Sequence, residues 1–415
     1  MRVFYVDTGL ASEVGHHANS CRLITRALRE RGHEVVVAAW QGLEPALQAE
    51  FAARTIFRIN TYSSTDEDPI CGWLAAHFMT SSITADDFGS LEPLSSEDLV
   101  YVNSVWPAQL LAVYSFLARC PDGSRPQTVV ELGTDPAVEY WGGAEGITLV
   151  ARDPRIDPRA TLYRFTARQM AIRHLPELQL ITFDRTSSDV YTRLLAFPVG
   201  VLPMPQSAAG ISHRGGWTGA RTVAFLGHQR AEKGYHLVPR IAELLLSSGR
   251  PVKLLVHNAT PAEMTDVQHA MRTLAAADSR VELDERPAGP DVWHGLLQRS
   301  DVVVCPYMPD RFRAAYSAIT AEAIASGIPL VVPEHTTLSR TMREFESGGE
   351  AFVEHEPASI AAAVGRLLDD FDLHVDRAAV AAERWSQTMG AERMVDAMLA
   401  KVAASVMEQR IAVPH

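Results

Sequence analysis

Lysine is nearly absent from this chain: Lys233, Lys253 and Lys401 are the only lysines among its 38 basic residues. Cysteine is as sparse. Cys21, Cys71, Cys120 and Cys305 lie far apart with no close pair, which excludes a zinc ribbon evident from spacing and any dense disulfide framework. Cys21 and Cys305 fall in apolar, regular segments, where a small buried thiol is the default. No apolar run approaches the roughly 18 residues that a membrane-spanning helix needs. Net positive charge is missing too, since 38 Lys and Arg face 50 Asp and Glu for a net of -12. A general nucleic-acid binder needs the opposite balance to displace counterions. A small anionic ligand needs only a local cluster, so it stays open. Residues 1–10 have one Arg and a short apolar run that meets Asp7, unlike a secretory signal. A cytoplasmic location is expected. No repeat of fixed short period occurs, which excludes a solenoid.

What is there is an ordinary globular composition, 47% hydrophobic and 21% charged over 415 residues. At roughly 150 residues per domain, two or three domains follow. The chain opens as strand 2–7, a glycine-bearing loop, helix 20–31 and strand 34–39, an order that implies a parallel pair with a right-handed crossover. Apolar runs recur at 99–102, 128–132 and 178–182. Residues 63–96 are polar, mixed in character and poorly periodic, and their pattern assigns no element. The run FPVGVLPMP at 197–205 reads as a last strand entering a stiff, proline-set linker, followed by a polar, glycine-rich stretch at 207–219. A second alternating series follows. Its strands are 222–226, 252–256, 281–283, 301–305 and 329–332, its helices 235–247, 261–276, 291–299 and 318–326. Helices at 358–371 and 391–407 close the chain. Two such series imply an α/β protein of two doubly wound, Rossmann-like domains with a cleft between them. The boundaries expected are 1–203, 204–388 and a terminal helix 389–415 returning to the first domain.

Two segments carry chemistry. In AFLGHQRAEKGYH, 224–236, a strand ends at Gly227, a loop bears His228, Arg230 and Lys233, and a helix starts after Gly234. Such a loop aims cations and helix-terminal N–H groups at one point, as a diphosphate requires. A solvated basic loop is the bland alternative. The scarcity of lysine favours the site, because a compact ammonium on a flexible stem suits a phosphate oxygen. In AAYSAITAEAIASGIPLVVP, 314–333, Tyr316 and Ser317 precede a small-residue helix that starts at Ala318 and carries Glu322. Buried there, Glu322 needs hydrogen-bond donors such as ribose hydroxyls; otherwise it faces solvent. Ser317 serves as an N-cap, and the same helix start offers N–H groups to a phosphate.

In this order the two segments resemble the GT-B glycosyltransferases, family 4 in particular. Lys233-Gly234 after Gly227-His228-x-Arg230 looks like the family's donor-phosphate loop. YSAITAEAIASGIPLVVP looks like its nucleotide-binding helix, and ERWSQTMGAERMVDAML like the terminal helices that cross back to the first domain. The likeness covers most of 222–407, and the first domain matches in outline through residues 7–19. It implies that Lys233 binds the diphosphate and Glu322 the ribose, with Tyr316 and Ser317 beside the phosphates. The chain departs from the pattern twice. Ala314 stands where a sugar-contacting Glu is usual, so the donor sugar is not carried over. His228 stands where an Arg is common, and Arg230 is expected to supply that charge.

In the first domain, the loop Gly15-His16-His17-Ala18 lets backbone approach a ligand, with one histidine expected to touch an acceptor hydroxyl or phosphate. A metal site there is disfavoured, because the two side chains diverge and no acidic partner is near in sequence. The stretch 128–141 lacks the His that the family often places near the sugar. Glu131 and Asp135 are its carboxylates, and Asp135 follows the strand's carboxyl end, either as a catalytic group or as turn chemistry with Pro136. The Arg-bearing stretch 152–173 offers a landing place to an anionic acceptor or, peripherally, a lipid surface; a solvated helix face is the alternative.

The resemblance implies transfer of a hexose from a nucleotide-diphosphate sugar to a glycan, lipid-linked or small-molecule acceptor, with retention. Lys233, Arg230 and the helix start at Ser317 would stabilise the departing diphosphate, so neither a metal nor a resident cofactor is expected. A nucleotide-sugar epimerase or hydrolase of the same architecture and a non-catalytic nucleotide-binding partner are the rival readings. The oligomeric state is left open.

Overall fold

Short runs of Val, Ile and Leu without alternation are the mark of strands covered on both faces, and the runs at 99–102, 128–132, 178–182, 222–226, 252–256 and 329–332 all lie in parallel strands. The computed structural model describes residues 1–62, 72–91, 93–143, 146–208 and 219–412. Cys71, much of 207–219 and part of 63–96 lie outside the described residues. Two compact units divide the chain. One comprises Met1–Ser12, His17–Pro205 and Ala391–His415, the other Glu13–His16 and Gln206–Gly390.

The first unit holds β1 (Arg2–Asp7), α1 (His17–Glu30), β2 (Glu34–Trp40), α2 (Pro45–Phe51), β3 (Arg54–Phe57), α3 (Gly72–Phe88), β4 (Leu99–Val102) and α4 (Pro107–Arg119). It continues with β5 (Gln127–Glu131), β6 (Val138–Gly143), β7 (Gly146–Ala151), α5 (Arg159–Ile172), β8 (Leu178–Thr182), α6 (Arg185–Leu195) and β9 (Val199–Val201). Seven parallel strands form the sheet in the order β3-β2-β1-β4-β5-β8-β9. The antiparallel pair β6–β7 stands outside it; its strands alternate too weakly to be expected from the sequence. Strand order reverses between β1 and β4, and in an open sheet ligands meet the carboxyl edge at such a switch point.

The second unit holds β10 (Arg221–Phe225), α7 (Val238–Ser247), β11 (Val252–His257), α8 (Thr265–Ala277), β12 (Val281–Asp284), α9 (Pro290–Arg299) and β13 (Val302–Val304). Then come α10 (Ala318–Ala325), β14 (Leu330–Pro333), α11 (Thr337–Glu344), β15 (Gly349–Phe352), α12 (Pro357–Asp369) and α13 (Phe371–Thr388). Its parallel sheet runs β12-β11-β10-β13-β14-β15, switching between β10 and β13. Val223, Val256, Val302 and Val331 build its core with Ile241 and Val364.

The last helix, α14 (Ala391–Ala412), belongs to the first unit, where it packs on α1. Arg31 donates to Asp396 at 2.6 Å, and Met394, Val395 and Met398 are buried. No helix among the described residues is long and apolar enough to cross a membrane.

Several element ends differ from the sequence expectation. α1 starts at His17 and not at residue 20, because a buried side-chain bond fixes its first turn, as described below. The expected helix 235–247 opens with a 3-10 turn at Tyr235–Leu237 before α7, where Pro239 suits the first helical turn. The expected helix 261–276 begins only at Thr265, behind Met264 at φ 51°. The expected single helix 358–371 ends at Asp369, and a separate helix starts at Phe371.

Candidate functional site

β10 ends beside Gly227, whose φ is +100°. A Cβ there would press into Ile319 Cδ1 on α10, and Lys233 Nζ lies 3.8 Å from the same point. Glycine at 227 therefore lets the basic loop and α10 meet, joining the two segments singled out in the sequence. Beyond it, Ala231–Lys233 makes a 3-10 turn that Gly234 closes at φ 72°. Any side chain at 234 would collide with the carbonyl oxygen of Pro306.

The loop is a cluster of cations in partial burial. Lys233 Nζ sits 5.4 Å from the centroid of the Tyr307 ring. Burial, then the charge of Arg230, push its pKa down to about 8. His228 is lowered by burial and by Arg230 as well, and its Nε2 lies 3.1 Å from a Glu263 carboxylate oxygen. Arg230 Nε is 2.9 Å from Glu232 Oε1. An anion arriving here relieves repulsion that the loop already carries.

α10 supplies the other half. Ser317 caps it, its Oγ accepting the Thr320 N–H at 3.3 Å. The free N–H groups of the first turn, beginning at Ala318, carry the helix's positive end. Glu322, one turn on, is 6% exposed, which removes the solvent-facing alternative. Its Oε2 accepts the Trp293 indole N–H at 2.7 Å. Trp293 comes from α9, and nothing in its own segment marks it; only the fold brings it to Glu322. Ala314 is buried at 2% exposure, so no carboxylate stands there. Gly15, at φ +92°, and His16 cluster with this unit, and the His16 ring stands edge-on to Tyr316 at 5.9 Å.

In the first unit the polar groups gather where β1, β4 and β5 end. Asp7 is fully buried and both its oxygens lie 2.9 Å from His17 Nδ1. Asn103 and the Gly9 N–H also donate to it. His17 Nε2 is 2.7 Å from the Tyr62 hydroxyl. This corrects two expectations: His17 lies in α1 and not in a loop, and it does have an acidic partner, ten residues upstream. Burial works against the imidazolium, yet Asp7 carries its pKa up to about 10. Glu131 is buried beside this group; burial raises its pKa to about 7, and its Oε2 accepts the Ser104 N–H at 2.6 Å. Asp135 is held by Arg152 at 2.6 Å and Arg159 at 3.3 Å, and it accepts the Ala137 N–H. It is thus both turn chemistry and the centre of an ion cluster. Among the described residues, no group of three or more His, Cys, Asp or Glu gathers as a metal would require.

A family described as "Family 4 Glycosyltransferase in conflict systems" matches residues 198–398. No curated protein matches the chain. Among solved structures, the fold is similar to sucrose-phosphate synthase from Thermosynechococcus elongatus, at TM-score 0.65 and 15% identity over 99% of each chain. Anabaena HepE, solved with UDP and glucose, gives TM-score 0.60 and 14% identity over 100% of each. A putative UDP-N-acetylglucosamine 2-epimerase from Listeria monocytogenes gives 0.61 and 14%, over 98% of this chain and 97% of that one. Residues 198–398 thus resemble the family 4 glycosyltransferases, and the chain as a whole has the two-domain GT-B fold of these structures.

Proposed function

We propose that the protein transfers a hexose from a nucleoside-diphosphate sugar to an acceptor hydroxyl, with retention and without a metal or resident cofactor, in the cytoplasm. The observation that carries this reading is the meeting of Lys233 and the start of α10 at Gly227, on the carboxyl edge of the second sheet. A diphosphate placed there takes charge from Lys233 and Arg230 and N–H groups from Ser317 and Ala318. The same groups stabilise the charge that grows as the sugar departs. Glu322 takes the ribose hydroxyls, fixed in rotamer by Trp293. Asp135 serves the acceptor side by fixing Arg152 and Arg159; the acceptor is a glycan, a lipid-linked sugar or a small molecule.

A thermal-shift screen with UDP-, GDP-, ADP- and dTDP-sugars tests the reading, with UDP-glucose first because HepE is solved with UDP and glucose. One donor class should stabilise the protein, and Lys233→Ala should weaken that binding at least about tenfold. Stabilisation by none would overturn the reading. Proton NMR of the anomeric coupling checks retention, and an inverted product would refute it. The likeness to a putative epimerase supports a second reading: turnover of donor with no acceptor present would favour epimerase or hydrolase chemistry.

A further inference from the structure

The first unit carries a second concavity, away from the carboxyl edge of its sheet. It has a volume of about 450 Å³ and lies between α5 and α6, within the roughly 300–1,000 Å³ of small-molecule sites. Its apolar side is made by Ala167, Ala171, Leu195, Phe197 and Pro198, and its polar side by Arg164, Arg168 and His174. The lining includes no carboxylate. Residues 170–174 and 194–198 lead into β8 and β9, so the groove opens at the amino ends of these strands. Substrates of open α/β sheets bind at the carboxyl ends, where Asp7, His17 and Asp135 lie.

Arg164 and Arg168 are one helical turn apart on α5, a helix with no Asp or Glu. Like charges at this spacing repel. Arg159, on the same helix, is satisfied by Asp157 and Asp135. Among the described residues, by contrast, Arg164 and Arg168 make no ion pair or side-chain hydrogen bond. In a chain of net charge -12, these two exposed guanidiniums give the apolar wall a local positive rim. α5 ends at Ile172 and α6 at Leu195, beside the lining residues Ala171, His174 and Phe197. Their carbonyl ends repel an anion, which leaves the anionic head over Arg164 and Arg168 and an apolar body toward Leu195, Phe197 and Pro198.

We propose that the groove between α5 and α6 binds an anionic amphiphile, a phosphate or carboxylate head on a single alkyl chain, at a site separate from the transfer site. Calorimetric titration of the whole chain with monomeric dodecyl phosphate, below its micelle concentration, tests this. Wild-type protein should bind it, with inorganic phosphate and neutral dodecyl maltoside at least about tenfold weaker. Arg164→Glu/Arg168→Glu should weaken binding at least about tenfold, and Ala171→Trp, which fills the apolar side, should do the same. Both variants should keep the wild-type melting temperature, since all three positions are exposed, and donor binding, since none belongs to the second unit. Equal binding by wild type and the charge-reversed variant, or inorganic phosphate matching dodecyl phosphate, would overturn the site. So would adsorption to phosphatidylglycerol vesicles without any binding of the monomer, because that would make this face a membrane surface and not a pocket.

Discussion

Lys233 shows how much one side chain can be asked to do. Its ammonium is partly buried against Tyr307 and next to Arg230, which lowers its pKa to about 8. The sign follows directly. Below pH 8 the free enzyme carries the charge; above it the charge is lost, and with it the attraction for a diphosphate. A bound diphosphate raises the pKa again, so the alkaline limb belongs to the free enzyme. We expect kcat/KM to fall as pH rises through about 8 and Lys233→Arg to remove that limb, since a guanidinium stays charged. A limb unchanged in the Arg variant would assign it elsewhere. Trp293 invites a different measurement. Its N–H holds one Glu322 oxygen at 2.7 Å, and hydrogen bonds to charged groups contribute about 1.5–3 kcal/mol. Trp293→Phe should weaken UDP binding about tenfold and narrow the difference between UDP and 2′-deoxy-UDP. Equal losses for both nucleotides would mean that the Trp merely packs.

Elements decide where such side chains point, and the turns are the sensitive parts. Gly234 combines a left-handed φ of 72° with a Pro306 carbonyl in the place a Cβ would take. Gly234→Ala is therefore expected to cost at least about 2 kcal/mol, read as a lower melting temperature. Donor affinity should fall further than the stability alone requires, because the turn that carries Lys233 must shift. All strands of the two sheets but the edge strands β3 and β15, and the loop at 227–234, were legible in the sequence, since buried parallel strands write themselves as apolar runs and glycine marks the turns, whereas these half-buried edges carry no such run. The start of α1 was not. His17 reads as loop until Asp7, at the end of β1, is seen to fix it from the buried side. Trp293 was hidden for the same reason, as its partner lies in α10, 29 residues away. Pattern reports periodicity within an element; these two bonds join separate elements.

At the scale of the whole molecule, the first unit is built from three pieces of chain, Met1–Ser12, His17–Pro205 and Ala391–His415. Its closing piece is α14, which brings Met394, Val395, Met398 and Val402 into buried positions. Burying each such side chain contributes about 1.5–3 kcal/mol, so the four together contribute about 6 kcal/mol or more, a large part of the roughly 5–15 kcal/mol that holds a domain folded. Arg31 loses its partner Asp396 with the helix, a minor contribution because the pair is partly exposed. A chain ending at Gly390 should therefore lose the first unit selectively. Amide exchange in β1, β2 and β4 should accelerate by orders of magnitude, while β10, β11 and β13 stay protected and nucleotide still stabilises the remaining unit. The second unit keeps every strand of its own sheet in the shortened chain, so its protection is the internal control. Slow exchange persisting in β1 after the truncation would show that α14 covers the first unit without holding it together.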